Sequence, residues 1–203
     1  MTPAYGPAAG PWQPVHPRQA GALLSAVTER WWIAGGWALD LYTGGTSRAH
    51  KDLDVGVLRH DVSRILAALH GWEFFAAQDG RLFGPLAGPP RAAVHSLWGR
   101  RSSGSEWMLE LLLDESAGEE WVFRRQPGIR RPLALLVRHD PEDIPYLAPE
   151  IQLLYKAAHP RAEDQADFER VAPRLEAEPR AWLRHTLARI SPRHPWLAVL
   201  GAD

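Results

Sequence analysis

The chain has 203 residues, 45% of them hydrophobic, which suits one domain with a real core or a catalytic domain with a smaller lobe beside it. Twenty-three Lys and Arg stand against 24 Asp and Glu, so a formal charge of −1 gives no broad attraction to nucleic acid. Cysteine is absent, which excludes disulfides and thiolate zinc sites, and no apolar run approaches the roughly 20 residues of a membrane span. A cytoplasmic protein without a signal peptide is expected.

Residues 1–17, rich in Pro, Gly and Ala, are read as a loosely held N-terminal segment. Residues 19–28 carry a helical stripe of Ala22, Leu23, Ala26 and Val27, and residues 31–34 form a short buried strand leading to Gly35-Gly36. A helix over residues 37–42 stops at Gly44-Gly45. Residues 52–55 are read as a strand, on which Asp52 and Asp54 share one face while Leu53, Val55 and Val57 enter the core. Asp61 is expected to cap a helix carrying Val62, Ile65, Leu66 and Leu69, with Gly71 ending it. Strands follow at residues 72–76 and 81–83 around Asp79-Gly80, then at 94–98 and 107–113, with further edge strands at 120–125 and 133–137. After Asp140 the pattern turns helical: Pro149 in a first turn with Ile151, Leu154, Tyr155 and Ala158, then helices near 161–171 and 179–190. The division is 18–140 for an α/β half and 141–203 for a helical lobe.

The chemistry concentrates in residues 33–57. Two carboxylates on one strand face, with no cation between them, repel each other unless a hard divalent cation such as magnesium takes their oxygens. The Gly35-Gly36 turn and a helix starting at Trp37 would aim backbone N–H groups at an anion. Arg48 suits bidentate phosphate contact, His50 either touches phosphate or holds the loop, and Lys51 is a solvated charge. Asp40 is read chiefly as an ion-pair partner for the basic loop through Arg48. Glu110 lies inside the apolar run MLELLL, where a lone carboxylate needs a cavity, a metal or a base. Asp114 and Glu115 are placed in the turn after that strand. Asp164 and Asp167 are expected to face solvent, Asp164 within reach of Lys156. There is no phosphate-binding P-loop, dinucleotide fingerprint, serine-nucleophile elbow or zinc-helix spacing. Most of the ten tryptophans belong to the core; Trp37, and those near the 84–90 loop, are candidates to line a pocket.

Gly35-Gly36-Trp37-Ala38 followed by Asp40, Gly44, Arg48, His50, Asp52 and Asp54 resembles the signature of polymerase-beta-like nucleotidyltransferases. Within them it is most similar to the small branch of aminoglycoside and lincosamide adenylyltransferases. The resemblance implies an α/β (α+β) nucleotidyltransferase fold: a mixed sheet with flanking helices plus a C-terminal helical lobe. It implies transfer of a nucleoside monophosphate, most simply AMP from ATP, to a hydroxyl of a small molecule such as an aminoglycoside or lincosamide, with Mg2+. It makes Asp52, Asp54 and Glu110 the catalytic and metal-binding acids, with Glu where Asp is commoner, as metal ligand, general base or both. Gly35, Gly36, Trp37, Arg48 and His50 then hold the NTP, and Lys156, in a helix ending Tyr-Lys, reaches the triphosphate across the cleft. No nucleic acid or membrane partner is implied, and exposed tryptophans would fit a homodimer. Two alternatives stand beside this reading: an antitoxin-type enzyme modifying a partner protein, and a nucleotide-binding relative without turnover.

Overall fold

The computed structural model describes residues 3–5, 10–13 and 15–201. The strands are β1 (Pro3–Tyr5), β2 (Trp31–Ile33), β3 (Asp54–Leu58), β4 (Trp72–Gln78), β5 (Arg81–Phe83), β6 (Ser96–Arg101), β7 (Leu109–Ala117), β8 (Glu120–Val122), β9 (Arg130–Pro132), β10 (Val137–His139) and β11 (Pro145–Leu147). The helices are α1 (Pro17–Leu23), α2 (Gly35–Thr43), α3 (Val62–Ala68), α4 (Pro149–Ala157), α5 (Ala162–Val171), α6 (Ala177–Ile190) and α7 (Trp196–Leu200).

The strands form one mixed sheet in the order β1-β5-β4-β6-β7-β3-β2-β11-β10, with β8 and β9 continuing as a ribbon from the far end of β7. Alternation sets its centre. Leu109, Leu111 and Leu113 of β7 are buried while Glu110 and Leu112 between them are only partly so, the period-2 signature of a strand with two different faces. β3 runs parallel to β7 with Asp54 opposite Glu110, and β2 pairs antiparallel with β3 so that Trp32 lies opposite Gly56. A β-carbon at Gly56 would come within 2.0 Å of the Trp32 indole nitrogen, so the glycine makes room for that buried ring. β11 is parallel to β2, Tyr146 opposite Ile33, and the chain passes from it directly into α4. α4 packs on α2, α5 and α6, which sets the helical segment against the end of the sheet where Gly35 starts α2.

Several sequence expectations change. Asp52 precedes β3 instead of lying on it, because that strand begins at Asp54. The first helix is Pro17–Leu23, started by the His16 ring accepting from the Arg18 amide and ended at Leu24, before Val27 and Thr28. Asp61 stands at the N-cap position of α3 as expected, but its carboxylate makes no capping hydrogen bond and is held by the Arg64 guanidinium. β7 runs on to Ala117, so Asp114 and Glu115 are strand residues. Residues 133–135 form a 3-10 turn, and the strand begins at Val137. Part of the expected loose segment 1–17 lies outside the described residues; of the rest, β1 pairs with β5, and Trp12 meets Trp98 edge-on at 4.9 Å. Trp32, Trp107, Trp121 and Trp196 are fully buried, and no described tryptophan is exposed, so the surface tryptophans invoked for a homodimer are absent. No described helix is long and apolar enough to cross a membrane.

Candidate active site

The start of α2, the loop before β3, the start of β7 and one side of α4 meet around a cleft of about 460 Å³. All nine residues named from the sequence line it: Gly35, Gly36, Trp37, Arg48, His50, Asp52, Asp54, Glu110 and Lys156. One oxygen each from Asp52, Asp54 and Glu110 lies within 4.8 Å of the others. Two come from neighbouring parallel strands in register, and the third sits two residues ahead of β3.

Among the described residues no Lys, Arg or His is in ion-pair contact with any of the three. Burial first, and then the charges of Glu110 and Asp52, push the Asp54 carboxyl well above the usual range. Glu110 is raised by burial and by Asp52, against a hydrogen bond donated by Ser96 Oγ at 2.5 Å. Three partly buried carboxylates crowded together with no protein cation in contact form a site that a hard divalent ion fits: all donors are oxygen, and Lys156 and Arg161 act on Asp54 only from a distance, being paired with other acids.

Gly35 has φ +65°, and a β-carbon there would sit 2.0 Å from Asp54 Oδ2. Its N–H is already given to Gln152 Oε1 at 2.8 Å, so this amide ties α2 to α4. Gly36 is required for a different reason: a β-carbon would meet His50 Cε1 at 2.5 Å and Arg48 Nη2 at 2.6 Å. The basic loop folds directly across it. In the first turn of α2 the N–H groups of Gly36 and Trp37 have no acceptor four residues back within the helix, as at any helix start.

Asp40, buried on α2, organises that loop through partners other than Arg48. It accepts from Ser47 Oγ at 2.7 Å and the Ser47 amide at 3.1 Å, meets His50 Nε2 at 2.7 Å, and pairs with Arg170 at 2.7 Å. Burial works upward on its carboxyl, but His50, Ser47 and Arg170 together hold it below the ordinary value. His50 is thereby fixed on its Nε2 side, with its ring 4.2 Å from that of Trp37. Arg48 donates to the Ala49 carbonyl at 3.2 Å, and its buried Nε has no partner.

Lys156 lines the cleft, yet its ammonium lies 2.6 Å from Asp164 and 3.1 Å from Asp167. Both aspartates are buried, contrary to the expected solvent-facing pair, because α5 packs this face against α4. Burial pulls Asp164 upward, but hydrogen bonds from Arg161 and Lys156 prevail and bring it down to about 2. Arg161, Asp164, Lys156, Asp167, Arg170 and Asp40 thus form one chain of alternating charges from the cleft wall to α2.

Sequence reasoning missed further lining residues. Gln152 and Tyr155 carry the helical spacing that could have flagged them; Arg125, His159, Arg161 and Glu163 carry no comparable signal. None of residues 84–90 lines the cleft.

A mixed sheet presenting paired acids and a third acid on the adjacent parallel strand, beside a Gly-Gly helix start, defines the nucleotidyltransferase fold class. Residues 18–81 match the family model described as aminoglycoside-2''-adenylyltransferase, which bears out the resemblance to the antibiotic-modifying branch. No curated protein matches the chain. Among solved structures, the lincosamide antibiotic adenylyltransferase LnuA, lincomycin-bound, shares 15% identity over 76% of this chain and 92% of its own, with a TM-score of 0.52. ANT(2'')-Ia in complex with adenylyl-2''-tobramycin shares 15% over 86% and 98%, with a TM-score of 0.53. The solution structure of the antibiotic-resistance factor ANT(2'')-Ia shares 17% over 87% and 93%, at 0.55. At these identities the likeness speaks for the fold.

Proposed function

We propose that the protein transfers a nucleoside monophosphate, AMP from ATP, to a hydroxyl group of a small molecule with release of pyrophosphate. The observation that carries this is the convergence of Asp52, Asp54 and Glu110 beside the first turn of α2. Magnesium held by these acids would neutralise the phosphates and the charge that develops during displacement at the α-phosphorus. The amides of Gly36 and Trp37, with the Arg48 guanidinium, take the β- and γ-phosphate oxygens, since helix-start N–H groups and a planar guanidinium both match phosphate. His50, anchored on Asp40, keeps Arg48 against Gly36. Lys156 contributes a fixed edge to the cleft more than a free charge, because two carboxylates already hold it. Glu110, on the parallel strand, serves as metal ligand and accepts the proton of the attacking hydroxyl. In that step the hydroxyl oxygen bonds to the α-phosphorus while the bond to the β-phosphate oxygen breaks, its electron pair leaving on pyrophosphate.

The acceptors named with the solved relatives are lincomycin and tobramycin. For this chain the reading extends to a small hydroxyl compound, and a polycationic one finds little to hold it. Asp114, Glu115 and Glu120 are engaged by Trp121 and Tyr155, by Arg59, and by Arg130.

The test is label transfer from α-labelled ATP in the presence of magnesium, with Asp54→Asn beside the parent. Chelation with EDTA should stop transfer and added magnesium restore it. Asp54→Asn should lose activity by about three orders of magnitude while circular dichroism shows an intact fold. A variant that transfers as well as the parent would remove Asp54 from the metal site.

A further inference from the structure

A second cavity of about 250 Å³ adjoins the cleft, lined by Asp54, His95, Leu112, Asp114, Arg124, Arg125 and Tyr155 among others. It shares Gly35, Asp54, Arg125, Gln152 and Tyr155 with the main cleft but includes none of Gly36, Arg48, His50 or Lys156. It therefore reaches Asp54 without including the phosphate-gripping groups. In-line displacement sets the attacking oxygen opposite the leaving pyrophosphate, so an acceptor seated in this cavity would extend its hydroxyl past Asp54 toward Glu110, which lines the main cleft.

Its charges are lopsided. Asp114 is buried and already accepts from Tyr155 Oη at 2.6 Å and Trp121 Nε1 at 3.1 Å, and burial raises its carboxyl despite these bonds. His95 is lowered by burial and by the Arg124 and Arg59 charges, and its Nδ1 lies 2.7 Å from Arg59. Arg124 is exposed and carries no ion pair or hydrogen bond among the described residues. Arg125 spends one nitrogen on the Tyr155 carbonyl at 2.7 Å and lies over the Tyr155 ring. In the main cleft, beyond the metal-site acids, Glu163 and Asp164 are paired with Arg161 and Lys156. An incoming ammonium group finds no free carboxylate there, whereas an anion finds two guanidinium groups beside an apolar wall that includes Leu112.

We infer that the acceptor is a small hydroxyl compound with an apolar body and an anionic group, a carboxylate or phosphate, held by Arg124 and Arg125, and not a polycationic aminoglycoside. This rests on the nucleotidyltransferase reading of the cleft and specifies the other substrate of the same reaction.

The probes are 3-hydroxybenzoate and 3-hydroxybenzylamine, which share a ring and a hydroxyl and differ in charge, with tobramycin as the polycation. Each is titrated by ligand-observed NMR into the full chain carrying magnesium and α,β-methylene-ATP. 3-Hydroxybenzoate should bind about tenfold or more tightly than the amine, as a charge-assisted contact gives. Arg124→Gln should abolish that preference and Arg124→Glu should reverse it. Tighter or equal binding of the amine or tobramycin, no binding of 3-hydroxybenzoate, or an unmoved preference in Arg124→Glu would each overturn the inference. Failure of the parent protein to bind the magnesium–nucleotide analogue is a separate result, and it counts against the nucleotidyltransferase reading itself.

Discussion

Replacing Lys156 by Met separates two roles that its position in the cleft leaves confounded. A lysine that only touches phosphate should affect nucleotide affinity and leave the fold alone. Here the ammonium bridges two carboxylates at 2.6 and 3.1 Å, all three side chains being less than 10% exposed. Removing one partner of a buried pair costs about 3–5 kcal/mol, because the remaining charge stays buried. Arg161 still holds Asp164 at 3.1 Å and Arg170 still holds Asp167 at 3.2 Å, so the lower end, about 3 kcal/mol, is expected. For a chain of this size that is on the order of 10 °C in melting temperature.

The penalty should depend on pH with a definite sign. The parent's Asp164 carboxyl is depressed from 3.8 to about 2, so its contribution is complete above the unfolded value and is lost as pH falls through about 2. Without Lys156 the folded carboxyl moves back toward its ordinary value. The gap between parent and variant is then widest near neutrality and narrows below about pH 4. Urea unfolding at pH 7 and pH 3.5 measures both, and Lys156→Arg should recover much of the loss. A destabilisation under about 1 kcal/mol at pH 7 would mean a solvated lysine and would refute the charge chain.

Two further outcomes follow from the same geometry. Gly35→Ala should lower transfer by about 100-fold or more, since its β-carbon would displace the Asp54 carboxylate and a misplacement of about 1 Å costs that much. The positive φ adds only about 1–2 kcal/mol of instability, so activity and melting temperature should part company; an unchanged kcat would show that the carboxylate tolerates the shift. Tyr155→Phe leaves Asp114 with Trp121 alone and should destabilise by about 1–2 kcal/mol in urea. No loss would mean that the phenol hydrogen bond contributes nothing.

The parts of the site that were legible in the sequence are those coded by local pattern. An acid amid leucines on β7 and a D-x-D beside Gly-Gly each announce a side chain that the core cannot absorb alone, and the cleft brings all of them together. What escaped notice depends on tertiary packing. Asp164 and Asp167 have the spacing of a solvated helix face, and only the docking of α5 onto α4 buries them. Asp114 was read as a turn residue because the apolar run stops at Leu113, although alternation already puts 110, 112 and 114 on one face. β11 has three residues and finds its partner β2 more than a hundred positions back, so no window of local sequence reveals it. Arg124 and Arg125 follow a short strand with no periodic signal.

The parallel pairing of β3 with β7 also works as a ruler. Side-chain direction reverses at each residue and repeats about 6.6 Å further along the strand, so Glu110 is the one position on β7 whose carboxylate lies directly opposite that of Asp54. Moving the acid to 109 or 111 would drive it into the core. Moving it to 112 would keep the face but deliver the charge to the cavity flanked by His95 and Arg124. The proposed catalytic acid and the proposed acceptor wall are thus successive marks on one edge of one strand, and a two-residue transposition would exchange their chemistries without altering the fold around them.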